Sequence, residues 1–204
     1  MLYSSQGNFL FVHVSRTGGV AIQRCLENSL NPIVPITAEQ HSPLFDARKK
    51  LGKQFDTTFK FAMVRNPWDR MVSWYAYICK VKLQQTGDII ADPSALHWQE
   101  FDSYLDAVFS ETYYLENKQC LVMSQFDQLA CIEGTLLVDA FGRFENLLGD
   151  FNQIKKNANI HCPPLTKMNE SSHINYQHYY TDYGRELVQE KLHKDLSYFS
   201  YSFN

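Results

Sequence analysis

Two groups of residues have the types and spacing to hold an anion. Ser15-Arg16-Thr17-Gly18-Gly19 follows the apolar run Phe9-Leu10-Phe11-Val12-His13-Val14 and precedes a helical pattern. Two adjacent glycines let the backbone reverse so that N–H groups converge at a helix start, where unpaired donors and the macrodipole favour a phosphate. Arg16 adds a permanent positive charge with a forked donor set. The second group is Arg65 at the end of an apolar run, with Ser73 two turns into the following helical pattern. A plainer reading makes the first group a βα turn with a solvent-facing arginine.

The elements that must position these groups follow from periodicity. An almost unbroken apolar run such as 9–14 reads as a strand buried on both faces of a parallel sheet, and Thr58–Val64 reads the same way. Leu136–Phe141 reads as a third strand. After the first strand, Ile22, Cys25, Leu26 and Leu30 repeat at helical spacing, and Asn31-Pro32 stops that helix. The stretch 32–43 reads as a loop, and Leu44–Leu51 as a short helix capped by Gly52. Asn66 is a good N-cap and Pro67 a good first helical residue, so a helix begins directly after the second strand. From Lys82 to Pro93 the chain reads as polar loop. Further helices are expected over Trp98–Tyr114, from Gly142 through about Asn157, and over Tyr176–Leu196; Cys120–Phe126 reads as irregular or a short strand. Two strand ends at the carboxyl edge of a sheet, each followed by a helix and each carrying an arginine, form a crevice for a ligand with two separated anionic ends.

The totals bound the rest. A chain of 204 residues that is 45% hydrophobic and 20% charged suits one domain spanning 1–204. A formal net charge of -3 gives no general attraction to nucleic acid or anionic lipid, so an anion site has to be a local concentration of basic groups. No run approaches the ~18 apolar residues of a membrane span, and a cytoplasmic location is expected. Cys25, Cys79, Cys120, Cys131 and Cys162 are an odd set without a C-x-x-C pair, fitting reduced and mostly buried thiols. His161, His173, His178 and His193 lack metal-ligand spacing, so no metal is expected. His13, Trp68, Trp74 and the tyrosines of 176–183 read as core.

Phe11-Val12-His13-Val14-Ser15-Arg16-Thr17-Gly18-Gly19-Val20-Ala21-Ile22 resembles the 5′-phosphosulfate loop of the Golgi-type carbohydrate sulfotransferase superfamily. Val64-Arg65-Asn66-Pro67-Trp68-Asp69-Arg70-Met71-Val72-Ser73-Trp74-Tyr75 resembles the same family's 3′-phosphate motif. Asp139 to Leu147 and the closing stretch Tyr179 to Phe203 also match, in the family's order and over nearly the whole chain. The resemblance implies a P-loop-like, three-layer α/β fold with a central parallel sheet flanked by helices. It further implies transfer of the sulfuryl group of 3′-phosphoadenosine 5′-phosphosulfate (PAPS) to an acceptor hydroxyl or, less readily, an amine, releasing 3′-phosphoadenosine 5′-phosphate (PAP).

By that resemblance Arg16, Thr17, Gly18, Gly19, Val20 and Ala21 hold the 5′ side of the nucleotide, Arg65 and Ser73 the 3′-phosphate, and Lys167 and Asn169 a loop closing over it. Arg16 is expected to neutralise the leaving phosphate, and His41, in Glu39-Gln40-His41-Ser42-Pro43, which resembles the family's His-Ser/Thr loop, to act as general base in preference to Glu39; the plainer reading makes it a loop residue bonded to main chain. Arg143 is expected to orient the site or to pair with Glu145 or Asp139. Two positions depart from the family: Arg16 stands where it has lysine, and Val20-Ala21 where it has Thr-Ser. The acceptor is expected to be a sugar or other small metabolite, a cationic guanidinium alkaloid of the saxitoxin type being one candidate. Two alternatives stay open: a non-catalytic phosphonucleotide-binding relative, and a small-molecule kinase with a divergent P-loop. The kinase would want a hydroxyl for magnesium after the glycines.

Overall fold

The computed structural model describes residues 1–29, 32–37, 39–86, 98–110, 124–165 and 174–204. The chain packs as two compact units: Met1–Arg65 with Met123–Met168, and Asn66–Val122 with Asn169–Asn204.

The first unit holds the sheet. Its strands are β1 (Leu2–Ser4), β2 (Phe9–Val12), β3 (Val34–Pro35), β4 (Phe59–Val64) and β5 (Ala140–Arg143), in the order β3-β1-β2-β4-β5. β2, β4 and β5 run parallel, with Phe11 opposite Phe61 and Ala62 opposite Phe141. Helices flank them: α1 (Gly19–Ser29), α2 (Leu44–Leu51), α3 (Gln54–Thr57), and further along the chain α6 (Gln125–Leu129) and α7 (Leu147–Asn157). Phe9, Phe11, Phe61 and Met63 project from one face onto Ile22 and Leu26 of α1 and Phe151 and Ile154 of α7. Their neighbours Leu10, Val12, Ala62 and Val64 are buried on the opposite face, which is why these strands read as continuous apolar runs.

The sheet is mixed rather than purely parallel. β1 pairs antiparallel with β2, and β3 antiparallel with β1. Leu2 is the only large aliphatic side chain in β1, and β3 is two residues long, so neither carries a periodic signal. β2 stops at Val12 because Val14 N–H turns back to the Val12 carbonyl at 3.1 Å, taking His13 and Val14 out of the ladder. The third parallel strand begins four residues later than expected: Leu136 bridges Ala130, and the Asp139 carboxylate receives both the Lys60 main-chain N–H (2.7 Å) and the buried Lys60 ammonium (2.9 Å). Asp139 therefore belongs to Lys60 and is not held for Arg143. Gly142 lies in β5, where a Cβ would come within 2.5 Å of Met63 Cε, and the helix opens only after a 3₁₀ turn over Phe144–Asn146.

α6 takes in Gln125 and Phe126, the end of the stretch 120–126 read as irregular or a short strand; residues 120–123 lie outside the described residues. Ser124 caps the helix, accepting the Asp127 N–H at 3.2 Å. The four described cysteines form no disulfide and are partly exposed rather than buried; Cys25 and Cys162 bring their Sγ atoms within 2.9 Å, and burial, with Cys25 beside it, pushes the Cys162 thiol up to about 12.

The second unit is helical: α4 (Pro67–Thr86), α5 (Trp98–Val108), a 3₁₀ turn over Tyr176–Tyr179, α8 (Asp182–Lys191) and α9 (His193–Phe199). Asn66 caps α4 through its Oδ1, which accepts the Trp68 N–H at 3.0 Å. Trp68, Met71, Val72, Trp74 and Tyr75 pack against Phe101, Leu105, Tyr179 and Val188. Arg70 and Asp195 are both fully buried in this unit and form an ion pair at 3.9 Å. α4 extends through Thr86, into the stretch read as loop; α5 ends at Val108, and residues 111–114 of its expected range lie outside the described residues. The expected closing helix breaks twice. Thr181 starts a new helix by accepting the Gly184 N–H at 3.1 Å while donating to Asp102 at 2.7 Å, and Leu192 separates α8 from α9 with φ -114 and ψ 27.

Among the described residues no helix is long and apolar enough to cross a membrane, and no three His, Cys, Asp or Glu side chains cluster as a metal site.

Candidate functional site

The loop joining β2 to α1 is shaped by main chain. Arg16 and Gly18 adopt left-handed φ values of 62 and 78, and Ala21 N–H closes onto the Gly18 carbonyl at 3.1 Å. The first turn of α1 carries no acidic residue, so no carboxylate competes with a bound anion there. Thr17 is buried and donates its hydroxyl to the Val14 carbonyl at 2.8 Å. That hydroxyl shapes the loop. Gly19 has a local reason to be glycine: a Cβ would lie 2.2 Å from the His13 ring.

Arg65 leaves β4 toward this loop. Its Nη1 donates to the Arg16 carbonyl at 3.1 Å, and the guanidinium lies 4.0 Å from the Phe144 ring centroid. Stacking on one face and a bond at one end hold the plane of the fork. Gln125 of α6 grips the main chain behind it. Its Oε1 accepts the Arg65 N–H and its Nε2 donates to the Arg65 carbonyl, both at 2.8 Å, the two-bond pattern of a β-ladder pair supplied by a side chain.

His41 is brought to the same place from the α1–α2 connection. Its Nδ1 lies 2.8 Å from the His13 carbonyl, and its ring meets the His13 ring edge-on at 4.8 Å. A carbonyl can only accept, so Nδ1 carries the hydrogen and Nε2 is the basic nitrogen. His13 has the opposite tautomer, because Gln40 Nε2 donates to its Nδ1 at 2.7 Å. Burial, then the neighbouring His41, lowers the His13 pKa to about 3.

That depression fixes the sign of a pH effect. The unfolded histidine, near 6.5, binds a proton more tightly than the folded one, so stability falls as pH drops from 6.5 toward 3. At 1.36 kcal/mol per pH unit, His13 contributes a loss of about 2 kcal/mol between pH 6.5 and 5. Urea unfolding followed by circular dichroism at both pH values should show this fall, and a His13→Gln variant should lose most of it; an unchanged slope in the variant would assign the acid sensitivity elsewhere.

The first unit thus brings together Arg16, Thr17, Gly18, Gly19, Val20, Ala21, His41 and Arg65. Ser73 lies buried on α4 in the second unit, and Lys167 and Asn169 lie outside the described residues. Sequence reasoning missed Gln125, Gln128 and Gln40. For the first two a signal exists: Ser124 followed three residues later by Asp127 is a helix-start pattern, and glutamines at i and i+3 then share a helix face.

The family model described as the Sulfotransferase family matches residues 1–202, nearly the whole chain, and the protein belongs to that family. No curated protein and no solved structure matches the chain.

Proposed function

We propose that this sulfotransferase-family chain works as one domain over 1–204, moving the sulfuryl group of PAPS to a hydroxyl of a sugar or small metabolite by in-line transfer, with His41 as general base. The residues fit the donor's chemistry. The N–H groups opening α1 and the Arg16 cation suit the 5′ side, and the stacked fork of Arg65, with the Ser73 hydroxyl by resemblance, suits the 3′-phosphate. Lys167 and Asn169 would complete the nucleotide contacts. Bound PAPS supplies an activated sulfuryl group on a phosphate leaving group. His41 Nε2 takes the proton of the acceptor hydroxyl, and the imidazolium that results keeps its Nδ1–H on the His13 carbonyl. Arg16 balances charge gathering on the leaving phosphate.

The observation that favours catalysis over binding alone is the tautomer of His41: a hydrogen bond at Nδ1 leaves the basic nitrogen at Nε2. A kinase reading is less well supported, since the side chains after the glycines are Val20 and Ala21 and the Thr17 hydroxyl is engaged with Val14.

The test has two arms. Titration calorimetry should show PAP binding without magnesium, with ATP and magnesium as the weaker competitor. Transfer of radiolabelled sulfate from PAPS should then be screened over sugars, hydroxylated small metabolites and a guanidinium alkaloid. His41→Ala should keep PAP affinity and lose about 10²- to 10⁴-fold in turnover. A wild-type protein that ignores PAP, or prefers ATP with magnesium, would overturn the reading.

A further inference from the structure

α6 is five residues long and carries two glutamines that are both fully buried. Uncharged amides at zero exposure are costly unless each donor and acceptor is used. Gln125 uses both ends of its amide on the Arg65 main chain. Gln128 is different. Its Nε2 is surrounded by three main-chain carbonyls, those of His13 at 3.3 Å, His41 at 3.0 Å and Ser42 at 3.4 Å. Its Oε1 is buried with no hydrogen-bond partner among the described residues. Three acceptors around one end fix which end faces them, so the side chain acts wholly as a donor and carries an unsatisfied oxygen to do so.

The three carbonyls belong to two separate stretches. One follows β2 and is the same His13 carbonyl that receives the His41 Nδ1–H. The others are those of His41 itself and its neighbour, on the α1–α2 connection. Gln128 therefore ties the main chain of His41 to the atom that sets its tautomer, while Gln125, one helical turn earlier, sets the main chain of Arg65.

We propose that α6 aligns the site: Gln128 is a positioning residue that holds His41 against the His13 carbonyl with Nε2 basic, and Gln125 is a positioning residue for Arg65. The proposal rests on the reading of His41 as base and Arg65 as nucleotide ligand. Neither glutamine touches substrate. The consequence is separable control, in which each glutamine governs one functional group.

The experiment measures two readouts in the intact protein. The first is the His41 tautomer, read from ¹⁵N shifts of histidine-labelled protein without nucleotide. The second is PAP affinity by calorimetry. Wild type should show His41 with its hydrogen on Nδ1. Gln128→Glu, which keeps the shape and loses the donors, should shift His41 toward the Nε2–H form that water favours, with PAP affinity changed by less than about threefold. Gln128→Met, an apolar replacement of similar length, gives the same comparison should the carboxylate prevent folding. Gln125→Met should weaken PAP by about tenfold or more and leave the His41 tautomer alone. His41 protonated on Nε2 in wild type, or on Nδ1 in wild type and both Gln128 variants alike, would overturn the role of Gln128. Equal damage to both readouts by every variant would reduce α6 to packing and overturn separable control. Absence of PAP binding in wild type would sink the nucleotide reading and with it the role given to Gln125, while the tautomer comparison, which needs no nucleotide, would still decide the role of Gln128.

Discussion

An Asp195→Ala variant is expected to lose about 3–5 kcal/mol of stability, because removing one partner of a buried ion pair takes away compensation for the other buried charge. Asp195 and Arg70 are both at 0% side-chain exposure in the second unit, 3.9 Å apart, so the Arg70 guanidinium would keep its burial and lose this carboxylate. At about 2–4 °C per kcal/mol, the melting midpoint should fall by roughly 6–20 °C. All three tryptophans, Trp68, Trp74 and Trp98, belong to that unit, so intrinsic fluorescence follows its unfolding. The double variant Arg70→Met/Asp195→Leu removes both charges and refills the space, and it should melt above Asp195→Ala. A midpoint for Asp195→Ala within a degree of wild type would show that the pair carries no weight.

Arg65→Ala should weaken PAP by about 10- to 150-fold, the equivalent of a hydrogen bond to a charged group at 1.5–3 kcal/mol. The alanine removes the cation, the Phe144 stack and the bond to the Arg16 carbonyl together. Arg65→Lys keeps the charge but neither the fork nor the stack, and should recover only part of the affinity. Adenosine 5′-monophosphate, which lacks the 3′-phosphate, separates the contributions: its affinity should change far less than that of PAP. Equal losses for both nucleotides would mean that Arg65 acts by shaping the 5′ loop through Arg16 rather than by meeting the 3′-phosphate.

Much of the fold was legible where the causes are local. The glycine loop, the Asn66-Pro67 helix start and the run 58–64 each state their structure within a few residues, and Gly52, at φ 54, closes α2 as its position suggests. What was not legible depends on partners far along the chain. β1 is a strand because it pairs with β2, and β3 because it pairs with β1, with little in their own composition to announce it. The late start of β5 follows from Asp139 serving Lys60, and the breaks in the closing helix follow from Thr181 reaching Asp102 and from the turn at Leu192. In the candidate site the charged and hydrogen-bonding groups could be named from sequence, including His41 and Arg65. What holds them could not, because buried glutamines on a five-residue helix look like any polar stretch until the carbonyls they reach are known.

The shortest strand bears on how the protein behaves in a crowded solution. A sheet edge offers unpaired donors on which a second chain can build, and that is a route to aggregation. In β3 the Ile36 N–H points inward to the Met1 carbonyl, and by alternation so does that of Val34. The outward donor position falls on Pro35, which has no N–H to give. A strand arriving at β3 finds no outward amide within its two residues to accept from, so self-templated growth is discouraged there by a single imino acid.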